Sequence, residues 1–220
     1  MSQPEAQLLE LLQRVGPPAA AEWLDETLAS LDLNSERAVR IAVARCARKV
    51  GPGPLEPLDA TGLPPAVSAQ WCLQDVARAV LVLRFFAARG DEAAKPFDGW
   101  ARRGEQGEQA SFFRMLSLLP GPERFVELAV EGCRTNSEVV FGAIALQNAF
   151  PAAHFPELNF NQLVLKTIFM GLPVPEIEGL AGRVNEDLVG MARDYASERN
   201  AAGRSVPTDI ASLERLWESR

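Results

Sequence analysis

From Leu8 to Trp217 apolar residues recur at intervals of three and four, and no stretch alternates apolar with polar residues as a half-buried strand would. A 3.6-residue period is satisfied only by helices that lay one apolar stripe against a neighbour, so the chain is restricted to all-α folds. The first stripe is Leu8, Leu9, Leu11, Leu12 and Val15. It ends at Gly16-Pro17-Pro18, where proline lacks an N–H and has a fixed φ, a combination that stops one helix and suits the start of the next. The second stripe carries Trp23, Leu24, Thr27, Leu28 and Leu31 and predicts a helix over 19–31. Asn34 or Ser35 can cap a third over 38–50. Residues 1–50 therefore read as an N-terminal helical hairpin region.

Residues 51–65, GPGPLEPLDATGLPP, are more than half Gly and Pro and can form neither a helix nor a central strand. Two readings are open for this Pro/Gly-rich loop: a surface crossover between helical layers, or a lid over something, since long unstructured loops are uncommon in compact domains. From Ala66 the longest and most buried helix is expected, with Trp71, Leu73, Val76, Val80, Leu81, Leu83, Phe85 and Phe86 spread over a wide arc. Further helices follow at short intervals over 92–101, 108–119, 123–133, 137–147, 158–170, 187–201 and 208–217. Short links such as 119–122 and 134–136 place successive helices antiparallel. The expected architecture is antiparallel helical pairs, stacked as an irregular HEAT-like superhelix or as a compact helical array, with 66–220 as the main helical domain and one structural domain in all. No sequence period is present.

With 220 residues, 47% of them hydrophobic, the chain can bury a core without disulfides or metal. A formal net charge of -7 argues against nucleic acid as a partner, because a phosphate-binding surface concentrates Lys and Arg. Only Lys49, Lys95 and Lys166 are lysines among the basic residues. With abundant Ala, Gly and Pro, that bias points to a GC-rich bacterial genome. Cys46, Cys72 and Cys133 are odd in number, far apart and set in helix-type sequence, which fits free thiols in a reducing compartment. The opening segment MSQPEAQLLELLQRVG is acidic and lacks a signal-peptide core, and no run approaches the roughly 18 apolar residues of a spanning helix. A cytoplasmic location is expected.

The run GPERFVELAVEGCRTN from Gly121, followed by QNAFPAAHFPELNFNQLVLKTIF, EIEGLAGRVN and MARDYASERNAAGRSVPTDI, resembles the EboA family over 121–210. The N-terminal half fits the same family less specifically, through its helical pattern and the segment of Trp71 and Asp75. The chain departs from the family where an acidic or polar residue, Asn, Pro, Tyr and Pro are usual. Here the residues are Gln147-Asn148-Ala149-Phe150-Pro151, without the tyrosine hydroxyl. Members of the family are encoded in ebo gene clusters beside a prenyltransferase-like membrane enzyme, a sugar-phosphate-isomerase-like protein, a TatD-type hydrolase-like protein and a dehydroquinate-synthase-like enzyme. The resemblance implies a role in making or exporting a small secondary metabolite, with the metabolite, other ebo-cluster proteins or the membrane prenyltransferase-like enzyme as partners.

Few residues suggest chemistry. His154 is the sole histidine and lies in Pro151-Ala152-Ala153-His154-Phe155-Pro156. Its imidazole is suited to general acid or base work, or simply to bonding a helix end. Asn161 interrupts the apolar stripe of Leu158, Leu165 and Ile168, while Gln162 and Lys166 lie on the neighbouring polar stripe with Asn159. Asn161 either bridges an adjacent helix or lines a pocket with Gln162, with Lys166 at the mouth. Tyr195, the only tyrosine, sits on an apolar stripe, and Arg199 closes the same helix, where it suits the negative end of the dipole or an anion. Asn148 precedes the histidine loop. One histidine and dispersed cysteines make a metal site through N or S ligands unexpected, and no cofactor is expected. Motifs for magnesium diphosphate (DDxxD), di-iron (Glu-x-x-His), a phosphate loop and the Gly-x-Ser-x-Gly elbow are all missing. The preferred reading is an accessory protein binding a small apolar metabolite or a pathway enzyme where residues 148–156 meet the helices from Leu158 and Asp187. The alternative is a metal-free enzyme with His154 as its acid or base.

Overall fold

The computed structural model of the chain describes residues 2–55, 64 and 66–219. Among them run α1 (Gln3–Val15), α2 (Pro18–Ser30), α3 (Glu36–Lys49), α4 (Leu73–Arg89), α5 (Ala94–Arg103), α6 (Gln106–Arg114) and α7 (Val126–Gly132). After these come α8 (Glu138–Ala145), α9 (Ala149–His154), α10 (Glu157–Phe169), α11 (Leu180–Arg183), α12 (Glu186–Ala201) and α13 (Thr208–Glu218). No strand forms among the described residues, and an isolated bridge between Pro54 and Cys72 is the extended pairing present there. The fold is all-α, as the periodicity requires. The expected loop over 51–65 lies largely outside the described residues, and its lid and crossover readings fall there with it.

The chain divides into two compact units, Met1–Ala143 and Ile144–Arg220. The division falls inside α8 rather than at the Pro/Gly-rich stretch. In the first unit α4 packs against α1, α3 and α6 and is buried around most of its circumference. It begins at Leu73, not at Ala66. Cys72 is extended at the N-cap, and the Asp75 carboxylate accepts its backbone N–H at 2.9 Å, while residues 66–71 make separate turns. The aromatic core follows from that helix. Phe85 meets Trp100 at 5.2 Å between ring centroids, and Phe97 meets Phe112 at 5.5 Å and Phe125 at 5.3 Å.

Three buried carboxylates join the helices of this unit, each matched by an arginine from another element. Glu5 of α1 accepts from Arg84 of α4 at 2.6 Å, and Glu108 of α6 takes Arg40 of α3 in a two-pronged pair at 2.8 and 2.5 Å. Asp75, 1% exposed, accepts from Arg114 at 3.1 Å, from the Cys72 thiol at 3.2 Å and from the Ser111 hydroxyl. Arg78, buried one turn along α4, donates to Ser111 Oγ at 2.7 Å and to the Gly107 carbonyl at 3.2 Å. The guanidinium fork explains why arginine rather than lysine fills these places.

In the second unit α10 packs on α12, and α12 on α13. The segment expected as a loop between helices is a short helix, α9, because the Asn148 side chain caps it by accepting from the Phe150 N–H at 3.0 Å. No helix among the described residues is long and apolar enough to cross a membrane.

Candidate functional site

A mostly apolar concavity of the second unit lies between residues 174–181 and α13. Its volume is about 400 Å³, and Val174, Ile177, Leu180, Leu213 and Leu216 make up half of its lining residues. Clefts that hold small molecules typically occupy roughly 300–1,000 Å³ and are mostly apolar with a few placed polar groups. Asp209 and Ser212 are the polar side chains of the lining.

One wall is a face of α13. Asp209, Ser212, Leu213 and Leu216 are spaced by three, one and three, so they share one side of the helix. Helical entry here is set by Pro207 at the N-cap. The other wall starts with a 3-10 turn, Val174–Glu176, entered through Pro173, and ends in α11. Gly179 makes its corner with φ of 70°, the left-handed region that favours glycine.

This second wall is held from behind by α9 and the residues before it. The Gln147 N–H donates to the Glu176 carbonyl at 2.8 Å and its side-chain amide to the Glu176 carboxylate at 3.1 Å. Arg183 donates to the carbonyls of Pro151 and Ala152 at 3.2 and 2.9 Å, and its guanidinium lies 4.5 Å from the centre of the Phe160 ring. A Cβ on Gly179 would stand 2.5 Å from the Ala152 Cβ, so the absence of a side chain is what lets the wall rest on α9. The carboxyl of Glu178, on the same corner, is pushed up by burial.

None of the residues singled out as site candidates in the sequence is part of this lining. Asn148 caps α9. His154 is half-buried at the end of α9, with its ring 4.8 Å from Phe150. Asn161 and Asn185 exchange amide hydrogen bonds at 3.0 and 3.1 Å, and Asn185 Oδ1 also accepts from the Leu188 N–H at 2.8 Å as the N-cap of α12. Asn161 therefore bridges α10 to an adjacent helix start. Gln162 is exposed and Lys166 half-buried on the same helix. The Tyr195 ring lies tilted against that of Phe169 with 4.2 Å between centroids, and its hydroxyl accepts from Arg199 at 3.1 Å. Arg199 also donates to the Ser205 carbonyl, fastening the link from α12 toward α13.

Two other concavities are less suited to an apolar ligand. One of about 240 Å³ in the first unit has the saturated Arg102 on its rim, paired with Asp98 at 2.6 Å and with Glu131. The other, about 580 Å³, is a wide hollow between α12 and the start of α13, with Arg193, Asn200 and Glu214 among its residues. Among the described residues no three His, Cys, Asp or Glu side chains come together as metal ligands. No residue of 174–181 or 209–216 was a site candidate in the sequence, although EIEGLAGRVN at 176–185 and SVPTDI at 205–210 belong to the stretches that carry the family resemblance. A family motif does not distinguish packing from binding, and a stripe facing a cavity has the same spacing as one facing a core.

Fold and site together define an all-helical protein whose second unit carries a ligand-sized apolar cavity. The family model of the metabolite traffic protein EboA matches residues 5–215, and the chain belongs to the EboA family. The match extends well beyond the C-terminal half in which the motifs stand out. No curated protein and no solved structure matches the chain.

Proposed function

We propose that this protein is a non-catalytic carrier that binds a small apolar metabolite between residues 174–181 and α13 and passes it to a protein of the same pathway. The observation that supports the reading is the cavity itself, about 400 Å³ with a mostly apolar lining. Burying apolar ligand surface there gains about 25 cal/mol per Å² before the cost of association is subtracted. Membership of a metabolite traffic family accords with carriage rather than turnover. The membrane prenyltransferase-like enzyme is the recipient suited to an apolar cargo.

The reading is tested with N-phenyl-1-naphthylamine, a neutral fluorophore that brightens in apolar surroundings. Saturable binding is expected for the native protein. In Ala181→Trp, where an exposed lining position receives a side chain large enough to fill the cavity, binding should fall at least tenfold with the melting temperature held. A stable Ala181→Trp protein that binds like the native one would place the probe elsewhere and defeat the proposal.

A further inference from the structure

We infer that Asp209 selects the ligand of this cavity: the cargo is an apolar body carrying one hydrogen-bond donor, a hydroxyl or an amine, and is not an anion. The inference rests on the cavity being the binding site. Asp209 lines it, half-exposed, and makes no hydrogen bond or ion pair with any described residue. Its charge is compatible with the fold because it sits in the first turn of α13, where the positive end of the helix dipole favours a carboxylate. Ser212, the other polar side chain of the lining, is already committed. Its hydroxyl donates to the Thr208 carbonyl at 3.4 Å and accepts from Arg215 at 3.0 Å. The cavity therefore offers a ligand an acceptor in Asp209, with no donor side chain uncommitted.

The charges around it point the same way. No lysine or arginine lines the cavity. Glu178 lies between two lining residues, and burial pushes its carboxyl up, so the corner of the wall is already short of water. Glu176 is held by Gln147, and Arg183 is turned onto the carbonyls of α9. Arg215 donates to Ser212 and is exposed on α13. An anionic ligand would meet Asp209 before Arg215, in a partly desolvated space where like charges repel more strongly than in water.

Three naphthalene probes of matched size separate the possibilities: 1-naphthylmethylamine as the cation, 1-naphthalenemethanol as the neutral donor and 1-naphthoate as the anion. Both donors should bind about tenfold or more tightly than naphthoate, which corresponds to about 1.4 kcal/mol. The advantage of the amine should shrink as salt is raised. Asp209→Asn should erase the preference for the amine while the alcohol still binds. Asp209→Ser, which keeps a side-chain oxygen in the first turn, serves if the first variant melts early. Alcohol binding with naphthoate equal to or tighter than the amine would overturn the inference, shift recognition to Arg215 and leave the apolar cavity standing. Unchanged preference in a folded Asp209 variant would overturn it equally. Absence of binding by all three probes and by N-phenyl-1-naphthylamine would remove the cavity reading, and this inference with it.

Discussion

Asn161 shows how a single polar residue on an apolar stripe is resolved. Its amide is fully used by Asn185, so the pair ties α10 to the N-cap of α12. Asn161→Leu keeps the volume and removes both bonds between the two amides, leaving the half-buried Asn185 amide with its bonds to the Arg183 carbonyl and the Leu188 N–H but one N–H without a partner. Stability should fall by about 1–3 kcal/mol in urea unfolding. Probe binding should persist in the folded variant, because Asn161 is not part of the cavity lining; loss of binding at native stability would assign it to the ligand instead. Glu108 gives a pH signature. Burial pushes its carboxyl up, but the hydrogen bonds and charge of Arg40, with the charge of Arg78, outweigh it and hold the group below its ordinary value of 4.5. A carboxyl depressed in the folded state stabilises above the unfolded value, and that stabilisation is lost as pH falls through the folded one. The native protein should therefore exceed Glu108→Gln in stability at pH 7, and the gap should close below about pH 4. A gap that stays constant from pH 7 to pH 3 would rule out this pairing as its source.

Elements here are shaped by their ends as much as by their stripes. The stripes of α1, α2, α3, α10, α12 and α13 were legible in the sequence to within a few residues, because apolar spacing and capping residues are local properties. Three elements were not. α4 begins at Leu73 because Asp75 turns back onto Cys72, whereas the apolar pattern by itself runs on from Ala66. α9 and α11 are too short to display a period and stand on tertiary contacts, among them the Asn148 cap, the Arg183 bonds to Pro151 and Ala152, and the fit of Gly179 against Ala152. The last contact makes a prediction for the wall of the cavity. Gly179→Ala imposes a left-handed backbone on a residue with a Cβ, costing about 1–2 kcal/mol, and adds a clash with Ala152. It should lower the unfolding midpoint and weaken probe binding together. Adding Ala152→Gly should recover part of both losses, because the clash is relieved while the backbone strain remains. Simple additivity of the two substitutions would show that the contact does not transmit between α9 and the wall.

At the scale of the whole molecule, the described residues form two compact all-helical units, one centred on α4 and its carboxylate–arginine pairs, the other carrying the apolar cavity. One histidine and the scattered cysteines leave few soft ligands for a metal. Protein purified through gel filtration should accordingly carry no stoichiometric zinc or iron, and elemental analysis finding about one equivalent would call for a carboxylate site. Periodicity alone determined the all-α class, since it depends only on the order of residues along the chain. The motifs over 121–210 were enough to indicate the EboA family, and the model match over 5–215 established membership. The sequence left a structural and a ligand-facing reading open for Asn161, Tyr195 and Arg199; in the structure each makes a side-chain hydrogen bond, and Asn148 caps its own helix. Only the tertiary structure decided where space is left. Leu213 and Leu216 have the spacing of core residues, and whether such a stripe meets another side chain or a cavity depends on the segment facing it. That segment, residues 174–181, is placed by α9 from a stretch of sequence about thirty residues away.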